Sequence, residues 1–227
     1  MNDGPPLARA LRACLQARGL VIEEAATPEE AREFLRKRSF DLALVDINHI
    51  PKVSMSELCH HIRGIAQQIG ILLVTTSRAE NSILQALEAG ADDYITKPFC
   101  ANELIARCHV VSRRLQASAV VQENSIVAGD LQLDLARRQF RKAGEVVRLT
   151  PTEFSLLAIL MKNRGTALTH TQLLRTVWGP EYGQELEYLR SYVRLLRKKI
   201  EADPARPKYL LTEPWIGYRF CNLSNSE

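Results

Sequence analysis

A chain of 227 residues, 46% hydrophobic and 25% charged, is long enough for two domains of ordinary size and has a globular composition. A net charge of +4 excludes a polycation, so any affinity for nucleic acid has to come from a local cluster of Lys and Arg. No apolar run approaches the roughly 18 residues that cross a bilayer. The opening Met1-Asn2-Asp3-Gly4-Pro5-Pro6 carries a charge and two prolines in place of a signal peptide. The five cysteines are scattered without CxxC spacing, which excludes a disulfide or zinc framework, and a cytoplasmic protein is expected.

Leu7, Leu11, Cys14 and Leu15 predict a helix over 5–18 that Gly19 stops, followed by a short strand, Leu20-Val21-Ile22. Thr27, Pro28 and Glu30 form a capping box for a helix ending near Arg38. Further along come a strand ending at Asp46, a helix over 54–63, a strand over 71–75, a helix over 80–89, a strand over 93–96 and a helix over 101–114. Strands alternating with helices on short connections give a parallel sheet covered on both faces. Ligands bind at the carboxyl ends of such strands, and those ends deliver Asp46, then Thr75 and Thr76, then Lys97. An acid, a hydroxyl and an ammonium in one crevice suit phosphoryl transfer. The carboxylate attacks phosphorus while the other two hold the equatorial oxygens, and a divalent ion bridges the two anions. The further carboxylate in reach is Asp3.

Residues 1–114 resemble a response-regulator receiver domain, a flavodoxin-like fold. The resemblance is carried by DLALVD around Asp46, VTTSR around Thr75 and ALEAGADDYITKPF over 86–99. It implies that Asp46 accepts a phosphoryl group from a sensor histidine kinase and that Thr75 and Tyr94 turn inward in response. It further implies that Lys97 binds the phosphoryl oxygens, that the Lys97-Pro98 bond is cis, and that Mg2+ sits on Asp3 and Asp46. Asp93 and Arg107 match charges that the family pairs across a two-fold dimer, with Asp92 and Arg114 as a second pair. Two departures weaken the metal site. Met1-Asn2-Asp3 stands where receivers carry a hydrophobic first strand ending in two acids, and Asn48 to Ser56 replaces the usual loop after the phosphoacceptor. That first strand is internal in the receiver sheet, so its lack would leave both neighbours unpaired. A third departure, Ile83, stands where the family places a basic partner for Glu103.

Residues 115–124 have no clear period and read as a linker. Beyond them 131–149 alternates as an antiparallel meander turning at Ala143-Gly144, Thr150-Pro151-Thr152-Glu153 opens one helix, and Thr169 opens a second. In 185–200, Leu186, Leu189, Val193, Leu196 and Ile200 mark one buried stripe of a helix, and Arg190, Arg194, Arg197 and Lys198 lie turned away from it. Guanidinium forks suit phosphates and guanine edges. Three helices and a closing Gly-Tyr-Arg hairpin make a winged helix-turn-helix, α+β in class.

Residues 125–223 resemble the OmpR/PhoB effector domain, through LTPTEFSLLAIL, QLLRTVWG and IGYRF. Within that family WGPEY, YLRSYVRLLRKKIEADPARP and TEPWIGYRF look most like the Kdp potassium-uptake branch. The resemblance implies that Arg190, Arg194, Arg197 and Lys198 enter the major groove, that Trp178, Tyr192 and Tyr218 bind the DNA backbone, and that Thr212 and Arg219 bring the wing to the minor groove. Leu195 is read on the polar face of the helix, where relatives carry a polar reader, and Trp215 replaces the usual wing glycine. The expected protein is a non-enzymatic, homodimeric, DNA-binding regulator on promoter direct repeats, with a sensor kinase and RNA polymerase as partners and no membrane contact. Two other readings stand beside it: a regulator that works without phosphate, and an interaction module that titrates an intact regulator.

Overall fold

A computed structural model describes residues 12–13, 15–49, 55–76, 85–116, 125–183 and 185–221. Thr27 caps α1 (Pro28–Lys37) through its hydroxyl, which accepts from the Glu30 amide. The Glu30 carboxylate accepts from Ala26, one residue before a strict box. β1 (Leu42–Asp46), β2 (Gly70–Thr75) and β3 (Asp93–Thr96) form a parallel sheet in the order β1-β2-β3. α2 (Met55–Ile65) lies between the first two strands in sequence, and α3 (Ala101–Gln116) follows the third.

β2 is central and buried along its whole length, as an apolar strand covered on both faces should be, whereas β1, outermost among the described strands, is only half-buried. Leu20-Val21-Ile22 is not a strand, contrary to expectation. In the receiver order its ladder partner is the N-terminal strand, and residues 1–11 are outside the described residues, as are Asp3 and Ile83. Leu20 and Ile22 instead pack as partly buried side chains on a cluster built from Leu15, Leu72, Val74, Ile95 and Leu104.

The second half opens with a four-stranded antiparallel sheet, β4 (Ser125–Ala128), β5 (Leu131–Asp134), β6 (Gln139–Lys142) and β7 (Glu145–Val147). Ala143 (φ 50°) and Gly144 (φ 84°) make the β6–β7 turn that the sequence places there. α4 (Pro151–Lys162) starts at a full capping box between Thr150 and Glu153. A second box, between Thr169 and Gln172, separates β8 (Ala167–Thr169) from α5 (His170–Trp178). α6 (Leu186–Ile200) then leads to the hairpin of β9 (Leu210–Glu213) and β10 (Gly217–Phe220), with β10 between β9 and β8. A Cβ on Gly217 would lie 2.0 Å from the Leu168 carbonyl oxygen, so only glycine permits that approach. No helix among the described residues is long and apolar enough to cross a membrane.

Buried side chains of both halves join in one apolar cluster, running from Leu58, Ile62 and Leu87 through Phe154 to Leu196. α3 packs against both α4 and α5. Two thiols lie inside, where burial raises Cys59 to about 11 and Cys108 to about 12, while Cys100 is exposed. Thiolate is the reactive form, so alkylation of the native protein near pH 8 should modify Cys100 rapidly and spare Cys59 and Cys108 until denaturant is added. Rapid modification of Cys59 or Cys108 in native protein, located by peptide mass, would contradict this packing.

Candidate functional site

The strand ends meet as the sequence places them. Lys97 Nζ donates to Asp46 Oδ2 at 2.6 Å, and the Asn48 amide and its Nδ2 donate to Asp46 Oδ1 at 3.2 and 3.3 Å. Thr76 Oγ1 donates to Asn48 Oδ1 at 3.0 Å, Thr75 is buried at the end of β2, and the Lys97-Pro98 bond is cis. The crevice thus holds a carboxylate with both oxygens accepting from its own surroundings. As a divalent-ion site it is sparse. No group of three His, Cys, Asp or Glu side chains gathers among the described residues, and Asp46 is the carboxylate they contribute here. Mg2+ tolerates one or two carboxylates with waters filling its other positions, so Asp46 fits as one ligand.

Next in line are the consecutive carboxylates at the start of β3, Asp92 and Asp93, both 0% exposed. Asp92 pairs with the Arg63 guanidinium, and its Oδ2 also accepts from the Ile71 amide at 2.9 Å. Its Oδ1 accepts from the amide and hydroxyl of Thr152 at 3.1 and 3.0 Å. Thr152 lies in the first turn of α4, where backbone N–H groups lack helical partners and the helix dipole favours an anion. Asp93 accepts from Arg107 at 3.2 Å, from Tyr188 Oη at 3.0 Å and from Tyr182 Oη at 2.7 Å. Burial alone would lower the Arg107 pKa, but the Asp93 carboxylate and the oxygens of Tyr182 and Tyr188 outweigh it and hold the guanidinium above its ordinary value. The guanidinium also sits over the Tyr182 ring, 5.0 Å from its centroid. Tyr192 Oη donates to the carbonyls of Ala91 and Asp92, each at 3.1 Å.

These contacts seat the second half of the chain on the face of the first that the sequence reading reserved for a second copy. The Asp93–Arg107 pair forms within one chain. Asp92 is enclosed by Arg63 and Thr152, and the side chain of Arg114, its expected partner, is outside the described residues. Tyr94, the expected switch residue, is half-buried with its ring 5.8 Å from that of Tyr188. Burial, then the Asp93 charge, raises its hydroxyl pKa.

The helix meant to read DNA has two buried stripes. Leu189, Val193, Leu196 and Ile200 face the core of their own half, as expected, with Leu186 partly buried. Tyr188, Tyr192 and Leu195, spaced four and three apart, form a second stripe, and all three are buried. Tyr192, Trp178 and Tyr218, which the resemblance assigns to the DNA backbone, are all buried in this arrangement. Tyr192 is 1% exposed beneath the receiver face, and Trp178 is 0% exposed with its ring 5.2 Å from those of Tyr188 and Tyr192. Tyr218 is buried edge-on to His170. Leu195, read on the polar face of the helix, is buried here as well. Tyr182, Tyr188, Thr152, Arg63 and Glu88 were missed. The signal available for Tyr188 was the second period-3.5 stripe itself; nothing local marked the others.

The cations stand where they were placed. Arg190, Arg194 and Lys198 are exposed. Arg190 pairs with Glu187 on its own helix, while Arg194 and Lys198 reach Glu88 of the receiver half at 2.6 and 3.3 Å. Arg197 turns toward the wing, donating to the Leu210 carbonyl at 2.8 Å and to Thr212 Oγ1 at 2.9 Å. Arg219 pairs with Glu213 across the hairpin.

Comparison with known proteins agrees with this architecture. A family model described as "Response regulator receiver domain" matches residues 1–109, and one described as "Transcriptional regulatory protein, C terminal" matches residues 144–220. The chain is 39% identical over 220 residues to the transcriptional regulatory protein KdpE of Mycobacterium tuberculosis, covering 97% of this chain and 96% of that one. It is 38% identical to KdpE of Escherichia coli over the same shares of both chains, and 34% identical to the sensory transduction protein RegX3 of Mycolicibacterium smegmatis over 96% of each. The solved structure of a RitR mutant superposes with a TM-score of 0.77 over 97% of this chain and 96% of that one at 24% identity, a likeness of fold. With a phosphoacceptor-like crevice in one half, a cation-faced winged helix in the other and KdpE similar along almost the whole length, the chain belongs to the two-component response regulators with an OmpR/PhoB-type DNA-binding domain.

Proposed function

We propose that this regulator is cytoplasmic, that its resting form is closed, and that a sensor kinase opens it by phosphorylating Asp46. The observation that carries the reading is the triple engagement of Asp93 by Arg107, Tyr182 and Tyr188. The residues the family uses to join two receivers are occupied by the chain's own effector half, so closure and dimerisation exclude one another. Closure also sets Glu88 against Arg194 and Lys198, a carboxylate standing where DNA phosphate would lie.

Tyr94 links the two ends. Phosphate on Asp46 would draw Lys97 and Thr75 to its oxygens, and an inward turn of Tyr94 would withdraw the ring that packs on Tyr188. With Asp93 and Arg107 released, two receivers pair, and the two effector halves bind a promoter direct repeat through Arg190, Arg194, Arg197 and Lys198, with Thr212 and Arg219 on the wing. RNA polymerase is the downstream partner. Mg2+, held by Asp46 and by Asp3 of the N-terminal segment, would lower the repulsion between phosphodonor and carboxylate.

Incubation with a small-molecule phosphodonor and magnesium should add one phosphoryl mass to the parent and none to Asp46→Asn, and should convert monomer to dimer by light scattering. A parent chain that gains no mass removes the phosphoacceptor assignment, and one that gains mass yet stays monomeric removes the coupling.

A further inference from the structure

We propose that Trp215, at the tip of the β9–β10 hairpin, is an apolar wedge that packs against the walls of the DNA minor groove. This rests on the winged helix binding duplex DNA and adds a contact beyond Thr212 and Arg219. Trp215 is 101% exposed, with exposed Ile216 beside it. Its φ is +67°, the left-handed region that a residue with a Cβ enters at a cost and glycine enters freely. The turn is closed by the Ile216 amide donating to the Glu213 carbonyl at 3.1 Å, a bond the backbone makes whatever the side chain. A glycine would make the same turn without strain and without an indole in water. The tryptophan therefore contributes nothing visible to the fold, and strain of this kind concentrates at binding sites.

The hairpin holds its tip rigidly and next to the cationic helix. Arg197 of α6 ties to β9 through the Leu210 carbonyl and Thr212 Oγ1. Glu201, just past α6, accepts from the amides of Lys208, Tyr209 and Leu210. On the other edge Gly217 lies against the backbone of β8. The tip is thus an extension of the surface carrying Arg190, Arg194 and Arg197, and an occupant that spans helix and wing must be polyanionic with apolar recesses. The minor groove has both, with deoxyribose walls between phosphate edges, and apolar side chains are used there as wedges. Trp215 is also exposed in the closed form, so this contact does not wait for the receiver to release α6.

The test uses the full-length protein and a duplex selected by it from a random library. Trp178 lies against Tyr188 and Tyr192, which closure covers, so an emission change seen with the parent and missing from Trp215→Gly, which retains Trp178, reports Trp215. Saturating duplex should shift that emission to the blue and protect it from acrylamide. Trp215→Gly should bind the duplex at least tenfold more weakly while melting no lower than the parent, and Trp215→Phe should recover most of the loss. Arg190→Ala serves as the control for DNA reading by α6. If Arg190→Ala weakens binding while Trp215→Gly binds as the parent does, α6 reads DNA and the wedge is wrong. If Trp215→Gly binds DNA normally but fails to support transcription with purified polymerase, the indole faces polymerase and the wedge is equally wrong. A parent that selects no duplex removes the DNA-binding reading and the wedge together.

Discussion

Tyr182→Phe combined with Tyr188→Phe is expected to tighten DNA binding by about a hundredfold without any phosphodonor. Each hydroxyl donates to a carboxylate with no exposure to water, at 2.7 and 3.0 Å. A hydrogen bond to a charged group contributes about 1.5 to 3 kcal/mol, so removing both weakens closure by at least roughly 3 kcal/mol, which is on the order of a hundredfold. The gain is capped by how far the resting equilibrium lies to the closed side. Phenylalanine keeps the ring packing against Trp178 and Tyr192, so α6 itself should remain folded. The same variant should show a larger radius of gyration in solution. Because Tyr188 lies on α6, near the DNA-facing surface, a change from the receiver side is the necessary companion. Asp93→Asn removes the charge that Arg107 and both hydroxyls share, and it leaves every residue of the effector half unchanged. Affinity that is unchanged or lower in both variants would mean the closed contact does not restrain DNA binding. Carrying either change on an Asp46→Asn background separates the latch from the phosphate, since opening by mutation should survive there.

The largest loss of stability is expected from Trp178→Ala. Its side chain is 0% exposed and wedged between the rings of Tyr188 and Tyr192 at the end of α5. Truncating a buried aromatic to alanine costs about 3 to 5 kcal/mol, the removed area plus the cavity left behind. Against a domain stability on the order of 5 to 15 kcal/mol this is a large share, and it corresponds to a fall in Tm on the order of 20 °C. DNA binding should fail with it, because the ring supports α6 from behind. Differential scanning calorimetry and near-ultraviolet circular dichroism read the effect directly. A Tm within a few degrees of the parent would show that the aromatic cluster does not hold the helix. The contrast with Trp215→Gly is sharp: one tryptophan is central to the fold and the other is absent from it.

Where local chemistry decides, the sequence was sufficient. Thr150 and Thr169 announced their helices because a hydroxyl three residues before Glu or Gln satisfies the first free amides whatever surrounds it. Asp46, Thr75 and Lys97 are brought to one place by the alternation of strands and helices alone, since parallel strands connected by helices expose their carboxyl ends on one edge. The strand expected at Leu20 to Ile22 shows the limit, because pairing depends on a neighbour that a local apolar run does not specify.

Residue patterning was enough to establish that α6 is amphipathic, that Arg190, Arg194, Arg197 and Lys198 share its polar side and that two domains are present. What covers each face was left to the packing of those domains. Periodicity states that a stripe is buried and is silent on what buries it, so Tyr192 reads as a contact for the DNA backbone, and Tyr188 goes unread, until Asp92 and Asp93, on the order of a hundred residues earlier in the chain, arrive beneath them. The same holds for Asp93 and Arg107, whose opposite charges make them partners in any arrangement. Whether they bind a second chain or this chain's own tyrosines depends on the relative placement of two folded halves, a property carried by no local spacing.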